Sequence, residues 1–262
     1  MRVRTMPMLM CVCLILCAAK VPASAQVDQK LAASYFVELA EMCGRDDGRL
    51  WGVTLCGPMA LVDAATRTSS TSEPAPPEPL PAAFGFANTA LDWGGRRWST
   101  IVWTMIQRVD APTRRRLLVH EAFHRVQPQL GLMTGGADNV HLDALDARCW
   151  LVLEWRALAA ALSAPIGARA TALADAAAFR GARHRLSPAA ADEERRVLII
   201  EGLAQYTGTV LAHTSREAAI ADARLQLERA EKEPTFVSVF AYSTGAAYGL
   251  LLDDVSPGWP RR

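Results

Sequence analysis

The chain has 262 residues, of which 51% are hydrophobic and 21% are charged, and its formal net charge at pH 7 is +1. This length and apolar content are enough for one sizeable core. Because the charges nearly balance and no basic patch stands out, the sequence does not indicate nucleic-acid binding.

The N-terminal segment, residues 1–25, has the three parts of a secretory signal peptide. Arg2 and Arg4 form a charged start, residues 6–19 form an apolar run, and Ala23-Ser24-Ala25 provides an A-x-A cleavage site. We therefore expect cleavage after Ala25 and a protein that is secreted or periplasmic. An uncleaved membrane anchor is the alternative, but the apolar run is short for a full span. We expect no stable membrane span after cleavage.

Three cysteines lie beyond the predicted cleavage site, namely Cys43, Cys56 and Cys149. In an exported protein Cys43 and Cys56 could form a disulfide, which would leave Cys149 free. The spacing of these cysteines does not match a zinc-binding CxxC pair.

The N-terminal part is predicted to contain one helix and a small β-sheet. Apolar residues recur at steps of three and four through residues 28–43, which is typical of an amphipathic helix. Residues 50–62 predict two short strands joined by a Cys-Gly-Pro turn. The Ser- and Pro-rich residues 68–81 predict an exposed loop, and the β-prone residues 99–104 predict a further strand.

The next predicted helix carries the motif His120-Glu121-Ala122-Phe123-His124, and residues 110–113 have the composition of its start. Histidines four residues apart share one helical face, so His120 and His124 can direct two imidazoles at one metal ion. Glu121 leaves the helix beside them, where it can act as a general base on a water molecule. The alternative is a surface helix whose histidine pair binds no metal.

Downstream of this motif the chain is predicted to be helical almost throughout. Residues 141–162 are apolar nearly all round and predict a buried helix. Further helices are predicted over residues 166–185, 189–213, 215–231 and 235–252. The predicted fold is therefore α+β and mainly α, with a small N-terminal β-sheet, the motif-bearing helix and a helical C-terminal part. We expect residues 26–262 to form a single domain.

A catalytic zinc site usually has three protein ligands. The residues just after His124 lack the glycine and third histidine of a metzincin. Glu201 is the stronger candidate for the third ligand. Asp143 and the neighbouring His141 are rivals, and Asp143 could instead orient a ligand histidine.

Two further motifs carry a resemblance to a known family. Residues 201–206 have the form E-G-x-A-x-Y, and residues 242–246 have the form Y-x-x-G-A. Together with HExxH, they resemble the aminopeptidase N-like and glycyl aminopeptidase-like gluzincins. The resemblance implies a zincin-like fold, a Zn²⁺ ion held by His120, His124 and Glu201, and Tyr242 as the hydrogen-bond donor to the oxyanion. Tyr206 and His213 are the alternative donors.

The chain also departs from this family. Glu201 lies much further from His124 than in the aminopeptidases, so residues 139–188 would be an insertion. Gln205 stands where some gluzincins have an aspartate that orients a ligand histidine. The G-x-M-E-N type of motif that binds a substrate amino terminus is not visible, so aminopeptidase specificity does not follow from the resemblance.

In zincins the strand before the motif-bearing helix is usually the sheet edge along which an extended substrate lies. The resemblance therefore implies that Trp103 and its neighbours bind a peptide by β-augmentation. The alternative is that Trp93, Trp98 and Trp103 belong to the core.

The sequence thus predicts an exported zinc metallopeptidase, a hydrolase that acts on a peptide or protein substrate with Glu121 as general base. One alternative is an inactive zinc-binding relative that serves as a binding or assembly factor in the envelope. Another is an exported helical protein without a metal. The substrate, the choice between endo- and exopeptidase activity, and the oligomeric state do not follow from the sequence.

Overall fold

The computed structural model describes residues 26–133 and 135–261, so the expected signal peptide lies outside the described residues. Over these two ranges the fold is α+β and mainly α, as predicted, with a four-stranded sheet on the N-terminal side. Among the helices of these ranges, none combines the length and the apolar character needed to cross a membrane.

The first helix, α1 (Gln29–Asp46), confirms the predicted amphipathic helix. Asp28 caps it by accepting a hydrogen bond from the backbone N–H of Leu31 at 2.9 Å. A disulfide joins Cys43, near the end of α1, to Cys56, as the sequence indicated was possible. Cys149 is free and exposed.

The segment between α1 and the sheet differs from the prediction, because only the second of the two strands expected within residues 50–62 forms. Residues 50–55 form turns and irregular backbone instead. Trp51 explains why: its ring packs on Phe123 at 4.8 Å between centroids, and its indole N–H donates to the hydroxyl of Thr207 at 2.9 Å. These tertiary contacts outweigh the local β propensity.

The sheet contains β1 (Met59–Val62), β2 (Ser69–Thr71), β3 (Thr89–Trp93) and β4 (Arg96–Val102) in the order β2-β1-β4-β3. β1 and β4 are parallel, and the other two pairs are antiparallel. β2 lies inside residues 68–81, so the prediction that this whole segment is a loop is wrong at its beginning.

The expectation that the strand before the motif-bearing helix forms the sheet edge is also wrong. β4 lies between β1 and β3, so β3 is the edge on this side. A tight turn at Gly94 and Gly95, both with positive φ, joins β3 to β4 and places β3 on the outside. The strand ends at Val102, and Trp103, which is 1% exposed, starts a single helical turn, α2 (Trp103–Ile106). The core interpretation of the tryptophans is therefore correct.

The remaining helices are α3 (Ala111–Val126), α4 (Leu145–Ser163), α5 (Ala170–His184), α6 (Ala190–Val197), α7 (Leu203–Ala212), α8 (Arg216–Ala230) and α9 (Phe240–Val255). A π-helical turn (Leu198–Gly202) joins α6 to α7, so the long helix predicted over residues 189–213 is continuous but locally widened. The last helix starts at Phe240 rather than at residue 235, because residues 235–239 form irregular backbone and a turn, anchored by the hydrogen bond from the N–H of Phe236 to Asp143.

Two large apolar clusters hold the fold together. One joins the sheet to α1, α3 and α7, and the other joins α4, α8 and α9; Val210 of α7 packs against both. α3 and α7 approach closely at Gly208, where an added Cβ would lie 2.6 Å from the backbone oxygen of Arg116. Because α7 follows the π turn directly, this contact also sets the position of Glu201 relative to α3.

Candidate metal centre

The HExxH segment lies on α3, in the helical geometry that the sequence predicted. Asp110 caps the helix by accepting a hydrogen bond from the N–H of Thr113 at 2.8 Å, and Pro112 occupies the first turn. His120 and His124 therefore share one face, with their Nε2 atoms 3.0 Å apart.

Glu201 completes a group of three. Its Oε2 atom lies 3.3 Å from Nε2 of His120 and 3.5 Å from Nε2 of His124. One potential ligand atom from each residue lies within 4.8 Å of the other two, so this group could hold a metal ion. Glu201 projects from the π turn, a feature that is rare in helices and frequent at functional sites.

The two rivals for the third position have other partners. Asp143 accepts hydrogen bonds from the hydroxyl of Thr235 at 2.5 Å and from the N–H of Phe236 at 2.7 Å, so it anchors the segment before α9. His141 lies 3.1 Å from a carboxylate oxygen of Glu194. Neither Asp143 nor His141 belongs to the group around His120.

Gln127 determines which nitrogen of His124 faces the site. Its amide nitrogen donates to the backbone oxygens of Ile199 at 2.8 Å and Ile200 at 3.0 Å, so its amide oxygen faces Nδ1 of His124 at 2.9 Å. An amide oxygen can only accept, so Nδ1 of His124 carries the proton. In the neutral imidazole, the lone pair of Nε2 is then directed at the position that a metal would occupy.

Gln205 does the same for His120. Its amide nitrogen donates to the side-chain oxygen of Gln226 at 2.6 Å, and the amide nitrogen of Gln226 donates to the hydroxyl of Thr209 at 3.2 Å. The amide oxygen of Gln205 therefore faces Nδ1 of His120 at 3.1 Å. In the sequence, Gln205 was only a departure from the aspartate that some gluzincins have at this position. In the structure, its neutral amide makes the contact with a histidine that the charged aspartate would make.

Gln127 is a site residue that the sequence reasoning missed. The only signal was its position three residues after His124, which places both on one face of a helical turn. Its contacts with Ile199 and Ile200 join two distant segments and have no local pattern. It is 1% exposed, so all three of its hydrogen bonds are made inside the protein.

The carboxylates of the site differ in their electrostatics. Burial tends to raise the pKa of Glu201, but its hydrogen bonds with His120 and His124 outweigh burial and hold its pKa below the usual range. Glu201 therefore stays ionised between the two imidazoles, which suits the binding of a cation. Burial lowers the pKa of His120. Burial alone would also lower the pKa of His124. There the hydrogen bond with Glu201 and the charge of Glu121 outweigh burial, so the pKa of His124 is raised.

Glu121 lies beside this group and lacks a partner for one oxygen. Its Oε2 atom is buried and makes no hydrogen bond, and burial raises the pKa of the carboxyl to about 8, helped by the charge of Glu201 and opposed by His124. Its backbone oxygen accepts from the hydroxyl of Ser99 at 2.9 Å, which ties α3 to β4. A buried, unpartnered carboxyl in a cleft is typical of a catalytic acid or base.

Tyr242 stacks against His120, with the two rings nearly parallel at 12° and 5.5 Å between centroids. Two glycines bring it there, because the π turn and α9 cross where an added Cβ on Gly245 would lie 2.2 Å from Cα of Gly202. Burial raises the pKa of Tyr242 above its usual range, and the nearby Glu201 adds to this effect. The phenol therefore keeps its proton and can donate a hydrogen bond.

The two alternative donors lie outside this cluster. The hydroxyl of Tyr206 donates to Asp253 at 2.6 Å, and Nε2 of His213 lies 3.1 Å from Asp222. Both residues therefore have structural partners away from the His120 group, and neither lines the cleft described next.

An open cleft of about 560 Å³ gives access to the group. Part of its lining comes from one face of α3, at spacings of three and four residues: Thr113, Arg116, Leu117, His120, Glu121 and His124. Phe86, Ala87 and Asn88, just before β3, and Met105 of α2 supply further lining, as do Glu201, Gln205 and Tyr242.

No protein-family model, curated protein or solved structure matches this chain. The resemblance to gluzincins therefore stays a prediction from three motifs. The site itself is defined by its geometry: two histidines one helical turn apart, a glutamate from a later π turn, a second buried glutamate and a tyrosine, all at one cleft.

Proposed function

We propose that this protein is an exported zinc metallopeptidase of gluzincin type that hydrolyses peptide bonds. The observation that carries the proposal is the convergence of His120, His124 and Glu201 within 4.8 Å, with Glu121 beside them and short of one hydrogen-bond partner. Three such ligands at a cleft open to solvent match the composition of catalytic rather than structural zinc sites.

The donor set fits Zn²⁺. Two imidazole nitrogens and one carboxylate oxygen are the ligands of the His₂Glu class of zinc hydrolases, and Gln127 and Gln205 hold the histidines in the tautomer that ligation requires. Bound there, a zinc ion would supply Lewis acidity and lower the pKa of a water molecule towards about 7.

Glu121 is the proposed general base. Its Oε2 atom is buried and accepts no hydrogen bond from any described residue, so it is free to accept a proton. It accepts the proton of the attacking water and passes it to the leaving amine. A divalent cation nearby would lower the pKa of Glu121 from about 8, so Glu121 would be an ionised carboxylate at neutral pH.

Tyr242 is the proposed donor to the oxyanion that develops on the scissile carbonyl. Its ring lies against His120, its side chain lines the cleft, and it keeps its proton at neutral pH. A neutral donor of this kind stabilises the transition state more than the ground state, because the negative charge appears only during the reaction.

The substrate backbone is proposed to lie along β3. This strand is the edge of the sheet on the side of the cleft, and Asn88, the residue before β3, lines the cleft. An extended peptide can pair with an edge strand by β-augmentation, whereas β4 has neighbours on both sides. The Cys43–Cys56 disulfide supports the exported location, because disulfides persist in oxidising compartments.

The test combines metal content with activity. We expect about one zinc per chain in the parent protein and none in a His120→Ala/His124→Ala variant. Glu121→Gln should keep the metal and lose cleavage of a mixed peptide library by a factor of about 10² to 10⁴. A fully active Glu121→Gln variant would refute the mechanism. Bound zinc without cleavage of any peptide would instead favour an inactive binding or assembly factor.

A further inference from the structure

Three apolar side chains line the cleft, and two of them are largely exposed to solvent. Phe86 and Met105 are 76% and 55% exposed, and the half-buried Leu117 lies one helical turn before Glu121 on α3. All three side chains line the same cleft as His120 and Glu121. Large exposed apolar side chains grouped at a concave site are typical of ligand-binding surfaces.

The local backbone turns these side chains outward. Gly85 has a φ of +93°, and an added Cβ there would lie 3.0 Å from the side chain of Val62. On either side of this glycine, Phe84 is fully buried and Phe86 lines the cleft. A side chain at position 85 would be strained, so the loop requires a glycine between the buried and the exposed phenylalanine.

Met105 is exposed for a similar reason. It lies on the single turn α2, where Trp103 and Ile106 are 1% and 0% exposed. With its neighbours at these two positions packed into the core, Met105 is left on the outer face of the turn. The flexible thioether of Met suits a surface that adapts to different apolar ligands.

Charged groups of the cleft have other roles. Among the described residues that line it, the acids are Glu121 and Glu201, which belong to the candidate metal centre. Apart from the histidines, the basic side chain among these lining residues is Arg116. It donates to both carboxylate oxygens of Asp222 at 2.9 and 2.7 Å. For recognition, the cleft therefore offers these apolar side chains rather than an unpaired charge.

We infer that Phe86, Met105 and Leu117 form a specificity subsite for a large aliphatic or aromatic side chain of the peptide. The subsite rests on the proposed function. Residues one turn apart on a helix have Cβ atoms about 5–6 Å apart, so Leu117 is close enough to Glu121 to contact a residue that flanks the scissile bond. Substrates with leucine, methionine or phenylalanine beside that bond are the expected class.

The test uses two hydroxamates, a general class of metal-binding probe, on the full chain loaded with zinc. Acetohydroxamate reaches only the metal, whereas 3-phenylpropanohydroxamate adds an aromatic group for the subsite. Affinities are measured by calorimetry for the parent, for Phe86→Ala/Met105→Ala, and for a control, Val37→Ala/Leu225→Ala. The control removes exposed apolar side chains outside the cleft. Because the residues changed in the test variant are exposed, it should fold as the parent does.

We expect the parent to prefer the phenyl compound, and the Phe86→Ala/Met105→Ala variant to lose on the order of tenfold or more of that preference. Acetohydroxamate should bind the parent and both variants equally. Equal binding of the two compounds by the parent, or a preference that survives the double substitution, would overturn the subsite while leaving the metal centre intact. If neither compound bound zinc-loaded protein, the proposed function would fail, and the subsite with it.

Discussion

Replacing Gln127 by leucine tests whether zinc binding depends on the orientation of His124, because His124 itself is kept. The side chain is 1% exposed and makes three hydrogen bonds, one with Nδ1 of His124 and two with the backbone oxygens of Ile199 and Ile200. Leucine has a similar volume and can make none of them. All three expected metal ligands remain in the Gln127→Leu variant.

Two effects should follow. The two hydrogen bonds that the amide of Gln127 donates to the oxygens of Ile199 and Ile200 are lost, which should lower stability by about 0.5–1.5 kcal/mol each. The loss of the contact that orients His124 should weaken zinc binding by about 10- to 100-fold, the usual range for such an indirect contact. That range corresponds to about 1.4–2.8 kcal/mol.

Two comparison variants distinguish these effects. Gln127→Glu keeps an acceptor for His124 and loses both donors, so it should bind zinc about as well as the parent while its unfolding free energy falls. Thr207→Val removes a buried hydroxyl on α7 that accepts from Trp51 and donates to the backbone oxygen of Leu203. It should also lower stability, with no change in zinc affinity.

The assay is competition for zinc with a chromophoric chelator at pH 7, together with urea unfolding of each variant. If Gln127→Leu binds zinc within about twofold of the parent, the orientation argument is wrong, whatever happens to stability. If Thr207→Val and Gln127→Leu lose zinc affinity equally, the effect is general destabilisation rather than control of His124.

Three further predictions test other parts of the structure. Tyr242→Phe should keep zinc and lower kcat by about 10² to 10³ with little change in KM; a parallel loss of zinc affinity would contradict its proposed role as oxyanion donor. Gly245→Ala places a methyl group 2.2 Å from Cα of Gly202, so it should cost about 1–3 kcal/mol or more and weaken zinc binding, and parent-like unfolding would disprove this packing argument. Glu194 is fully buried with Arg183; burial alone would raise its pKa, but Arg183 holds it at about 2 against an ordinary 4.5. The stability that Glu194 contributes is thus present above pH 4.5 and is lost as the pH falls through about 2. The difference in unfolding free energy between the parent and Glu194→Gln should narrow over that range, and a constant difference would show that Glu194 is not ionised in the fold.

Regular local patterns predicted the helices of this protein well. The helices predicted to begin at residues 28, 110 and 215 do begin there, capped by Asp28, Asp110 and Ser215, because a cap depends on hydrogen bonds only three residues away. The same patterns failed at Trp51, where a β-prone segment forms turns, and at β4, whose position inside the sheet depends on the strand paired beside it.

For the candidate site, the sequence by itself determined the pair His120 and His124 and the place of Glu121. Residues four apart on a helix lie about one turn apart on the same face, so helix geometry alone places these side chains together. The choice of Glu201 over Asp143 and His141 was open at that level, because each stood at a plausible distance along the chain.

Only the tertiary structure decided the rest. The close contacts at Gly208 and between Gly202 and Gly245 place the π turn and α9 against α3, and this packing brings Glu201 and Tyr242 to the histidines. Gln127 acquired its role in the same way, through backbone oxygens of a segment far along the chain. Helical periodicity is set by each residue's own backbone, whereas such contacts depend on which surfaces pack together, and no local spacing encodes that.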